Sequence, residues 1–469
     1  MPPSWPREPH IDNRFSIPAL KNLPDGPRAY LVGGSVRDLL LGRPPVDLDI
    51  AVAGDPAGYA RTIAARTATR VVAMGKPGQT VYRVASREML IDVSPLKNDR
   101  IEDDLAARDF TVNAMAWDLG ALALVDPLSG REDLAARCIR MVAPQAFEND
   151  PLRLLRAYRM AAALDFDVED DTRKAVQQRA SLIRRPAGER LRVELLQLLG
   201  APDSTRLIEM MAADGLLTAL FPEMQAMIGC RQNEHHDFDV FEHTLRAYAA
   251  LEALVHQGGA LSSALANRYT EATPTAAVLK YAMLLHDIGK PPSRRVAPDG
   301  RVRFLGHADR STQLAANISQ RLRLSRQEAQ QAETIIRLHL RPLDLFAAHR
   351  RQAAGPKAIH RFFRDSYPWS VDILLHALGD RRGKRKVAPE EDDGFKDFVV
   401  GLIEYHDGSY QTAKAAAPLV SGHDLMRDFN LAPGPAIGEL LARIEEERLA
   451  GSLKTREAAL EFVRRKLEV

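Results

Sequence analysis

The chain has 469 residues, of which 45% are hydrophobic and 27% charged, and a formal net charge of +2. This composition is typical of a globular protein of roughly three domains, and it excludes a disordered chain and a globally basic nucleic-acid binder. With only two cysteines, Cys138 and Cys230, a disulfide scaffold and a multi-cysteine zinc site are excluded. No stretch is long and apolar enough to span a bilayer, so we expect a cytoplasmic protein without a membrane partner.

The first informative stretch, Tyr30–Val52, predicts a strand, a glycine turn, a short helix and a second strand. Gly33 and Gly34 allow a sharp turn and a close approach of the backbone to a ligand. We expect Ser35 to cap the helix. A glycine turn before a helix presents backbone N–H groups to an anion, and Arg37 adds positive charge. The turn therefore predicts a phosphate site.

Two carboxylates alternate with apolar residues in the second strand. Asp47 and Asp49 lie on one face, opposite an apolar face that we expect to be buried. Carboxylates two residues apart repel each other unless a cation lies between them, and a divalent metal with oxygen ligands suits that position. The pattern therefore indicates nucleotide chemistry with a metal. The residues expected on the buried face are Val46, Leu48, Ile50 and Val52.

Polar residues recur further along the same domain. Asp92, flanked by apolar residues in a predicted strand, can join the pair as a third carboxylate, although a solvated face explains a single strand aspartate equally well. Residues 101–118 begin with acids and then predict an amphipathic helix. Within that segment Arg108, Asp109 and Asn113 stand among apolar residues.

Beyond residue 145 the pattern is helical almost throughout. In the predicted helix Phe147–Leu164, three arginines spaced three apart share one stripe: Arg153, Arg156 and Arg159. Such a stripe is more often a solvated face than a site. Its position directly after a nucleotide-type domain favours contact with phosphate or base edges.

A second cluster of potential ligands follows in the helical part. An apolar helical run ends in His286-Asp287, and burial of such a pair is costly unless a metal or hydrogen bonds satisfy it. Imidazole and carboxylate ligands suit Mn, Fe, Ni or Zn. The alternative is a helical body in which the histidines are core or surface residues. The full candidate set is His243, His286, Asp287, His307, His339 and Asp380.

Five motifs, GGSVRD, DLD, ARDFTVNA, VDPLSGREDLAARCIR and NDPLRLLRAYRM, resemble in order and spacing those of bacterial tRNA nucleotidyltransferases and the related bacterial poly(A) polymerases. The resemblance covers about residues 29–200 and again the C-terminal part. It implies an α/β plus α fold, in which a nucleotidyltransferase-type mixed sheet with helices precedes an all-helical neck, body and tail. The expected divisions are an extension 1–28, a head 29–145, a neck with a tRNA-binding region 146–230, a metal-dependent body 231–386 and a tail 387–469.

The resemblance implies a role for each matching residue. Asp47 and Asp49 would bind catalytic Mg²⁺, and Asp92 would accept the proton of the primer 3′-hydroxyl. Asp150 and Arg153 would read the incoming base. The expected partners are the tRNA 3′ end, CTP and ATP. The residues implied in nucleotide binding are Gly33, Gly34, Ser35, Arg37, Arg108, Asp109, Asn113, Asp150, Arg153, Arg156 and Arg159.

The second cluster resembles the HD phosphohydrolase superfamily. Four residues match its metal ligands, and His307 and His339 match the extra ligands of the two-metal members. The implied reaction is cleavage of a phosphate ester or a 2′,3′-cyclic phosphate. The four matching ligands are His243, His286, Asp287 and Asp380.

Two departures from the family pattern concern the product. Asn149 stands where the base-reading motif usually has Glu, which puts base selection in question. The segment Asp92–Arg108 is short, as in the enzymes that add only CC, so that CC, A and CCA all stay open and CC is favoured. The rival functions are a poly(A) polymerase on general RNA and an HD phosphodiesterase whose head only binds nucleotide. The sequence predicts no particular oligomeric state.

Overall fold

The computed structural model describes residues 23–24, 28–75, 80–86, 89–232, 237–256, 269, 274–384, 393–449 and 451–467. The expected extension 1–28 therefore lies almost wholly outside the described residues. The chain divides into two compact units, one of Met1–Leu198 with Met210–Leu220, the other of Leu199–Glu209 with Phe221–Val469. Within the described ranges, no helix combines the length and the apolar character needed to cross a membrane.

A mixed sheet forms the centre of the first unit. Its order is β3-β4-β5-β2-β1-β6-β7, and β2 and β5 run parallel while the other described pairs are antiparallel. The two strands that carry aspartates are therefore direct neighbours in the middle of the sheet. The strands are β1 (Ala29–Val32), β2 (Asp47–Val52), β3 (Val71–Met74), β4 (Val81–Ala85), β5 (Leu90–Pro95), β6 (Ala116–Asp118) and β7 (Ala123–Val125).

The four residues predicted to form the buried face at β2 are buried, with one exception. Leu48, Ile50 and Val52 are fully buried, as expected. Val46 is 86% exposed, so its predicted burial is wrong. It precedes the first paired residue of the strand, and therefore no neighbouring strand covers it. On the opposite face Ala51 packs in a cluster with Ile101 and other apolar residues, so that only the end of this face that carries the aspartates is polar.

The helices of the first unit depart from prediction mainly in one segment. The predicted helix 101–118 is wrong, since a helix ends at Ala106 and a 3₁₀ turn, Thr111–Asn113, leads into β6. Phe110 instead forms a bridge with Met141. The helices are Gly34–Leu40, Pro56–Arg66, Ile101–Ala106, Gly130–Ala135, Gln145–Asn149, Leu152–Leu164, Asp170–Arg179, Gly188–Gly200 and Leu216–Leu220. Two short strands, β8 (Cys138–Ile139) and β9 (Asp167–Val168), pair in parallel.

The second unit is helical apart from a small hairpin, β10 (Arg295–Val296) and β11 (Val302–Arg303). The predicted fold class, a mixed α/β sheet domain followed by helical parts, is confirmed. The helices are Thr205–Ala213, Val240–His256, Pro274–Leu285, Lys290–Ser293, His307–Arg321, Arg326–Leu338, Arg341–Arg350, Pro356–Ser366, Ser370–Gly383, Asp393–Tyr405, Gln411–Ala415, Gly422–Phe429, Pro435–Leu449 and Arg456–Leu467.

Candidate active site and metal centre

The three head carboxylates are brought together by strand pairing. Asp49 and Asp92 are direct partners in the parallel β2–β5 ladder, and Asp47 lies two residues before Asp49 on the same face. The Ser35 hydroxyl is buried, donates to the Asp47 carbonyl oxygen at 3.0 Å and accepts from the Asp49 N–H at 3.0 Å. The prediction that Ser35 caps the helix is therefore wrong. Its side chain instead fixes the backbone between the two aspartates.

The negative charges of these carboxylates are balanced unequally by neighbouring arginines. Arg83 on β4 donates to both carboxylate oxygens of Asp92, at 2.8 and 2.6 Å. Asp49 has no such partner among the described residues. Burial, reinforced by the negative charge of Asp47, raises the pKa of Asp49 to about 6, although Arg108 opposes the shift. A carboxylate that is costly to ionise and lies beside two others fits a divalent cation with oxygen ligands.

The raised pKa of Asp49 predicts a pH dependence for Mg²⁺ binding. A cation must displace the proton, so we expect the affinity to fall about tenfold per pH unit below pH 6. Without metal, the folded chain binds this proton more tightly than the unfolded chain, whose Asp pKa is 3.8. The contribution of Asp49 to stability therefore falls as the pH rises from 3.8 to about 6.

Calorimetric titration with Mg²⁺ between about pH 5 and pH 8 measures this dependence. The variant Asp49→Asn, which lacks both the titrating carboxyl and its charge, should bind Mg²⁺ weakly at every pH in this range. An affinity that stays constant through this range in the wild type would contradict the prediction.

The glycine turn opens directly onto the carboxylates. Gly33 has φ +71°, and a Cβ there would lie 2.6 Å from Nη1 of Arg108 and 3.6 Å from Oδ2 of Asp49. The positive φ favours glycine at this position, and any larger residue would also displace the Arg108 guanidinium. Arg108 is held by Asp104, one turn earlier, at 2.9 Å. The turn therefore leaves room for a ligand between a guanidinium and a carboxylate.

A chain of polar contacts runs from the helix Gly34–Leu40 to the predicted arginine stripe. Arg37 donates to Asn113 Oδ1 at 2.8 Å, and Asn113 donates to Asp109 at 2.9 Å. Arg156 binds the other Asp109 oxygen at 2.6 Å and also contacts Glu194. Burial alone would raise the pKa of Asp109, but Arg156 and the hydrogen bonds of Asn113 and the Phe110 N–H hold it below its usual value.

Glu194 also contacts the last arginine of the stripe. Arg159 donates to Glu194 Oε2 at 2.7 Å. Two of the three predicted arginines, Arg156 and Arg159, are therefore fixed by one carboxylate from the helix Gly188–Gly200. The sequence prediction missed Glu194, because nothing in ERLRVELL marks it as facing the stripe.

An open cleft of about 280 Å³ collects most of the predicted nucleotide-binding residues. Asp150 is held there by Arg190, at 2.7 and 3.2 Å, and Arg153 donates to the Ala107 carbonyl oxygen at 2.9 Å. Asn149 is exposed and outside the lining. Of the predicted residues, Asp47, Asp92, Ser35, Arg37 and Arg159 do not line the cleft either. The lining residues are Gly33, Gly34, Asp49, Arg108, Asp109, Asn113, Asp150, Leu152, Arg153, Arg156 and Arg190.

In the second unit, all six predicted ligands are buried and lie in two overlapping groups. Each group offers ligand atoms that lie within 4.8 Å of one another, and Asp287 belongs to both. Gly289 makes this packing possible, because a Cβ there would lie 2.4 Å from the Ser311 backbone nitrogen. The groups are His243, His286, Asp287 and Asp380, and Asp287, His307 and His339.

Three of the imidazoles have their orientation fixed by the backbone. The Nδ1 atoms of His286, His307 and His339 each contact the carbonyl oxygen three residues earlier, at 2.8, 2.9 and 2.6 Å. With the proton on Nδ1, Nε2 is left as the lone-pair donor that a metal needs. Within the described part of the chain, Nε2 of His286 and of His307 makes no well-directed hydrogen bond.

The two carboxylates of this centre lie among cations. Asp287 Oδ2 is 2.6 Å from Lys290 Nζ and 3.1 Å from His286 Nε2, and its Oδ1 is 3.4 Å from His307 Nε2. Burial opposes ionisation of Asp287, but His286 and Lys290 hold its pKa well below the usual value. Buried, ionised carboxylates beside imidazole nitrogens without directed partners fit a divalent transition metal.

The sequence prediction missed three residues at this centre. Lys290 contacts Asp287, Lys384 lies 3.1 Å from Asp380 Oδ2, and the fully buried His376 ring is 5.1 Å from the His286 ring. A sequence signal existed for each. Lys290 stands three residues after Asp287, and His376 and Lys384 stand four residues on either side of Asp380.

Family models match four parts of the chain. They are the poly A polymerase head domain at residues 29–140 and the probable RNA and SrmB-binding site of polymerase A at residues 165–228. An HD domain matches residues 240–360 and the putative tRNA nucleotidyltransferase domain 2 matches residues 409–463.

Individual proteins match over nearly the whole chain. An A-adding tRNA nucleotidyltransferase of Deinococcus radiodurans is 36% identical over 448 residues, covering 94% of this chain and 96% of the relative. A CC-adding tRNA nucleotidyltransferase of Thermus thermophilus is 33% identical, covering 93% of each. The solved CCA-adding enzyme of Thermotoga maritima with tRNA has the same fold, with a TM-score of 0.62 and 22% identity over 94% of this chain and 91% of that chain.

Proposed function

The chain belongs to the bacterial tRNA nucleotidyltransferase and poly(A) polymerase family. On that premise we propose that it adds nucleotides to the 3′ ends of tRNA from CTP and ATP without a nucleic-acid template, with CC, CCA or A as the product. The observation that carries the proposal is the in-register pair Asp49 and Asp92 beside Asp47, next to a cleft lined by arginines. Three carboxylates at the edge of an anion-binding cleft suit phosphoryl transfer.

The residues divide the work as follows. Asp47 and Asp49 hold Mg²⁺, which when bound neutralises charge on the triphosphate. Asp92 accepts the proton of the primer 3′-hydroxyl, and Arg83 keeps its carboxylate oriented. Gly34 supplies a backbone N–H group to the phosphates, with Arg108 as counter-charge. Gly33, whose own N–H is donated to the Met115 carbonyl oxygen, provides the turn with its positive φ.

We assign base selection to two residues that line the cleft. Asp150 accepts from the incoming base and Arg153 donates to it, which matches the donor and acceptor edge of cytosine. Arg156, Asp109 and Asn113 contact ribose and phosphate, while Ser35, Arg37 and Arg159 support the others through the contacts described above. Asn149 is exposed, so we expect the missing Glu to have only a minor effect on base selection. Arg190 donates to the Asp150 carboxylate and holds it in position.

CC is the product that we favour. The segment Asp92–Arg108 folds as the end of β5, a 3₁₀ turn and the helix Ile101–Ala106, and it holds no long loop of the kind linked to the switch from C to A addition. Overall identity does not decide the product, since both A-adding and CC-adding relatives match over nearly the whole chain.

The test is extension of tRNA transcripts that lack one, two or three 3′ nucleotides, each incubated with one NTP, beside an unrelated RNA of equal length. Extension of the tRNA substrates by C, or by C and A, supports the proposal. Long A tails on the unrelated RNA would select poly(A) polymerase, and no extension of any substrate would refute nucleotide transfer.

A second activity is favoured by the geometry around Asp287, whose two oxygens face different imidazoles. We propose that the second unit is an HD phosphohydrolase centre that holds one or two ions of Mn, Fe, Ni or Zn and cleaves a phosphate ester or 2′,3′-cyclic phosphate. A bound ion supplies a Lewis acid and an activated water. Lys290 and Lys384 supply positive charge at the two aspartates.

The domain assignment follows from these roles. We assign the transferase head to 29–145, the neck to 146–230, the HD body to 231–386 and the tail to 387–469, after an extension 1–28. The two cysteines are unpaired with each other, which agrees with the cytoplasmic location that we propose.

A further inference from the structure

A hairpin between two groups of HD ligands carries an unusual concentration of positive charge. We call it the arginine hairpin, residues 294–303, with strands β10 and β11. It contains four arginines and one aspartate: Arg294, Arg295, Arg301, Arg303 and Asp299. All five side chains are exposed.

The pairing in this hairpin sets like charges against each other. Arg295 and Arg303 are direct cross-strand partners. Opposed like charges destabilise an antiparallel pair. Arg301 has Asp299 at 3.7 Å. Within the described ranges, Arg294 and Arg295 contact only backbone carbonyl oxygens, and no carboxylate pairs with Arg303. An anionic partner would remove this repulsion.

The hairpin is attached directly to the metal centre. It begins seven residues after Asp287 and ends four residues before His307. Phe304, immediately after it, offers the carbonyl oxygen that orients His307 Nδ1, at 2.9 Å. The Phe304 ring also lies 5.7 Å from Lys290 Nζ. An anion held on the hairpin is therefore held next to the proposed hydrolytic site.

Exposed apolar side chains accompany the arginines. Val296 is 57% exposed and Leu305 is 77% exposed. A mixed surface of guanidinium and aliphatic groups fits a nucleic-acid strand, whose phosphates bind the arginines and whose sugars and bases contact the apolar groups. A single RNA strand offers one phosphate per nucleotide, enough to contact several arginines of the hairpin at once, whereas a mononucleotide 2′,3′-cyclic phosphate offers one.

We propose that the arginine hairpin binds the phosphodiester backbone of a single RNA strand and thereby presents the 3′-terminal phosphate of that strand to the HD centre. The preferred substrate of this centre is then an RNA end, which binds more tightly than a free nucleotide. This inference rests on the proposed phosphohydrolase function of the same unit.

The test compares the variant Arg295→Gln/Arg303→Gln with wild type on two substrates, an RNA oligonucleotide ending in a 2′,3′-cyclic phosphate and the mononucleotide 2′,3′-cyclic AMP, with Mn²⁺ or Ni²⁺ added. We expect KM for the RNA to rise about tenfold, with kcat and the mononucleotide kinetics unchanged. The slope of log KM against log salt should fall by about 1.4 for two lost contacts to a single strand.

The matched control is Arg326→Gln/Arg337→Gln, which removes two exposed arginines from the helix Arg326–Leu338. It should leave both substrates unaffected. An equal loss on RNA and mononucleotide, or an unchanged KM for RNA, would overturn the proposal, as would an equal effect of the control. If wild type cleaved neither substrate, the hydrolytic function would be wrong. Photocrosslinking of the same oligonucleotide would then decide separately, with crosslinks at 294–305 supporting RNA binding and their absence refuting it.

Discussion

Replacing Asp49 with asparagine is expected to lower the rate of nucleotide incorporation by on the order of a thousandfold. Asparagine keeps the size of the side chain and the backbone N–H that the Ser35 hydroxyl accepts from. It removes the negative charge that Mg²⁺ needs at the point where β2 meets β5. The measurement is single-turnover addition of labelled CTP to tRNA lacking its 3′ CC.

The same substitution should not lower stability. Asp49 is costly to ionise beside Asp47 and Asp92, so removal of its charge relieves repulsion in the metal-free protein. We expect the Tm in EDTA to stay constant or to rise, as is common when a catalytic charge is removed. Glu132→Gln, an exposed acid on the helix Gly130–Ala135, is the control and should retain activity. Full activity of Asp49→Asn, or a low Tm that explains its inactivity, would contradict the assigned role.

Replacing Asp287 with asparagine is expected to reduce the transition metal bound per chain at least about tenfold. Asp287 belongs to both ligand groups, so its loss affects every ion that the centre holds. Phosphoesterase turnover should be lost with the metal. Incorporation of CTP should persist, since Asp287 and the transferase carboxylates belong to different compact units.

Elemental analysis of the purified proteins measures this effect. Asp344→Asn, on an exposed position of the helix Arg341–Arg350, is the control for the loss of one carboxylate in the same unit. A wild-type protein that neither co-purifies with nor rebinds Mn, Fe, Ni or Zn would refute the metal centre. Unchanged metal content in Asp287→Asn would refute this ligand assignment.

The sequence was sufficient where local periodicity determines position. The alternation in β2 placed Asp47 and Asp49 on one face, and the spacing of His286 and Asp287 after an apolar helix predicted a buried pair. The same logic failed for Val46, because alternation does not say where pairing begins. It also failed for 101–118, where Phe110 pairs with Met141, a contact too distant in sequence to predict.

Side-chain contacts between residues distant in sequence could not be predicted, for the same reason. Ser35 is a good helix cap by residue type, but the neighbouring strand offered its hydroxyl a carbonyl oxygen and an N–H. The bidentate Arg83–Asp92 pair depends on the register of β4 against β5. Glu194 and Arg190 come from a helix more than thirty residues beyond the side chains that they hold. Sequence patterns identify groups with chemistry, and tertiary register decides which of them meet.

Nucleotide transfer to tRNA is tested most directly by the mass of the products formed from a tRNA lacking its 3′ CCA and from a tRNA ending in CC, each incubated with CTP and ATP together. We expect a defined product from the tRNA lacking CCA, with addition that stops after CC in wild type and is absent in Asp49→Asn. Failure to extend either tRNA, or a heterogeneous tail of many A residues, would contradict the proposal.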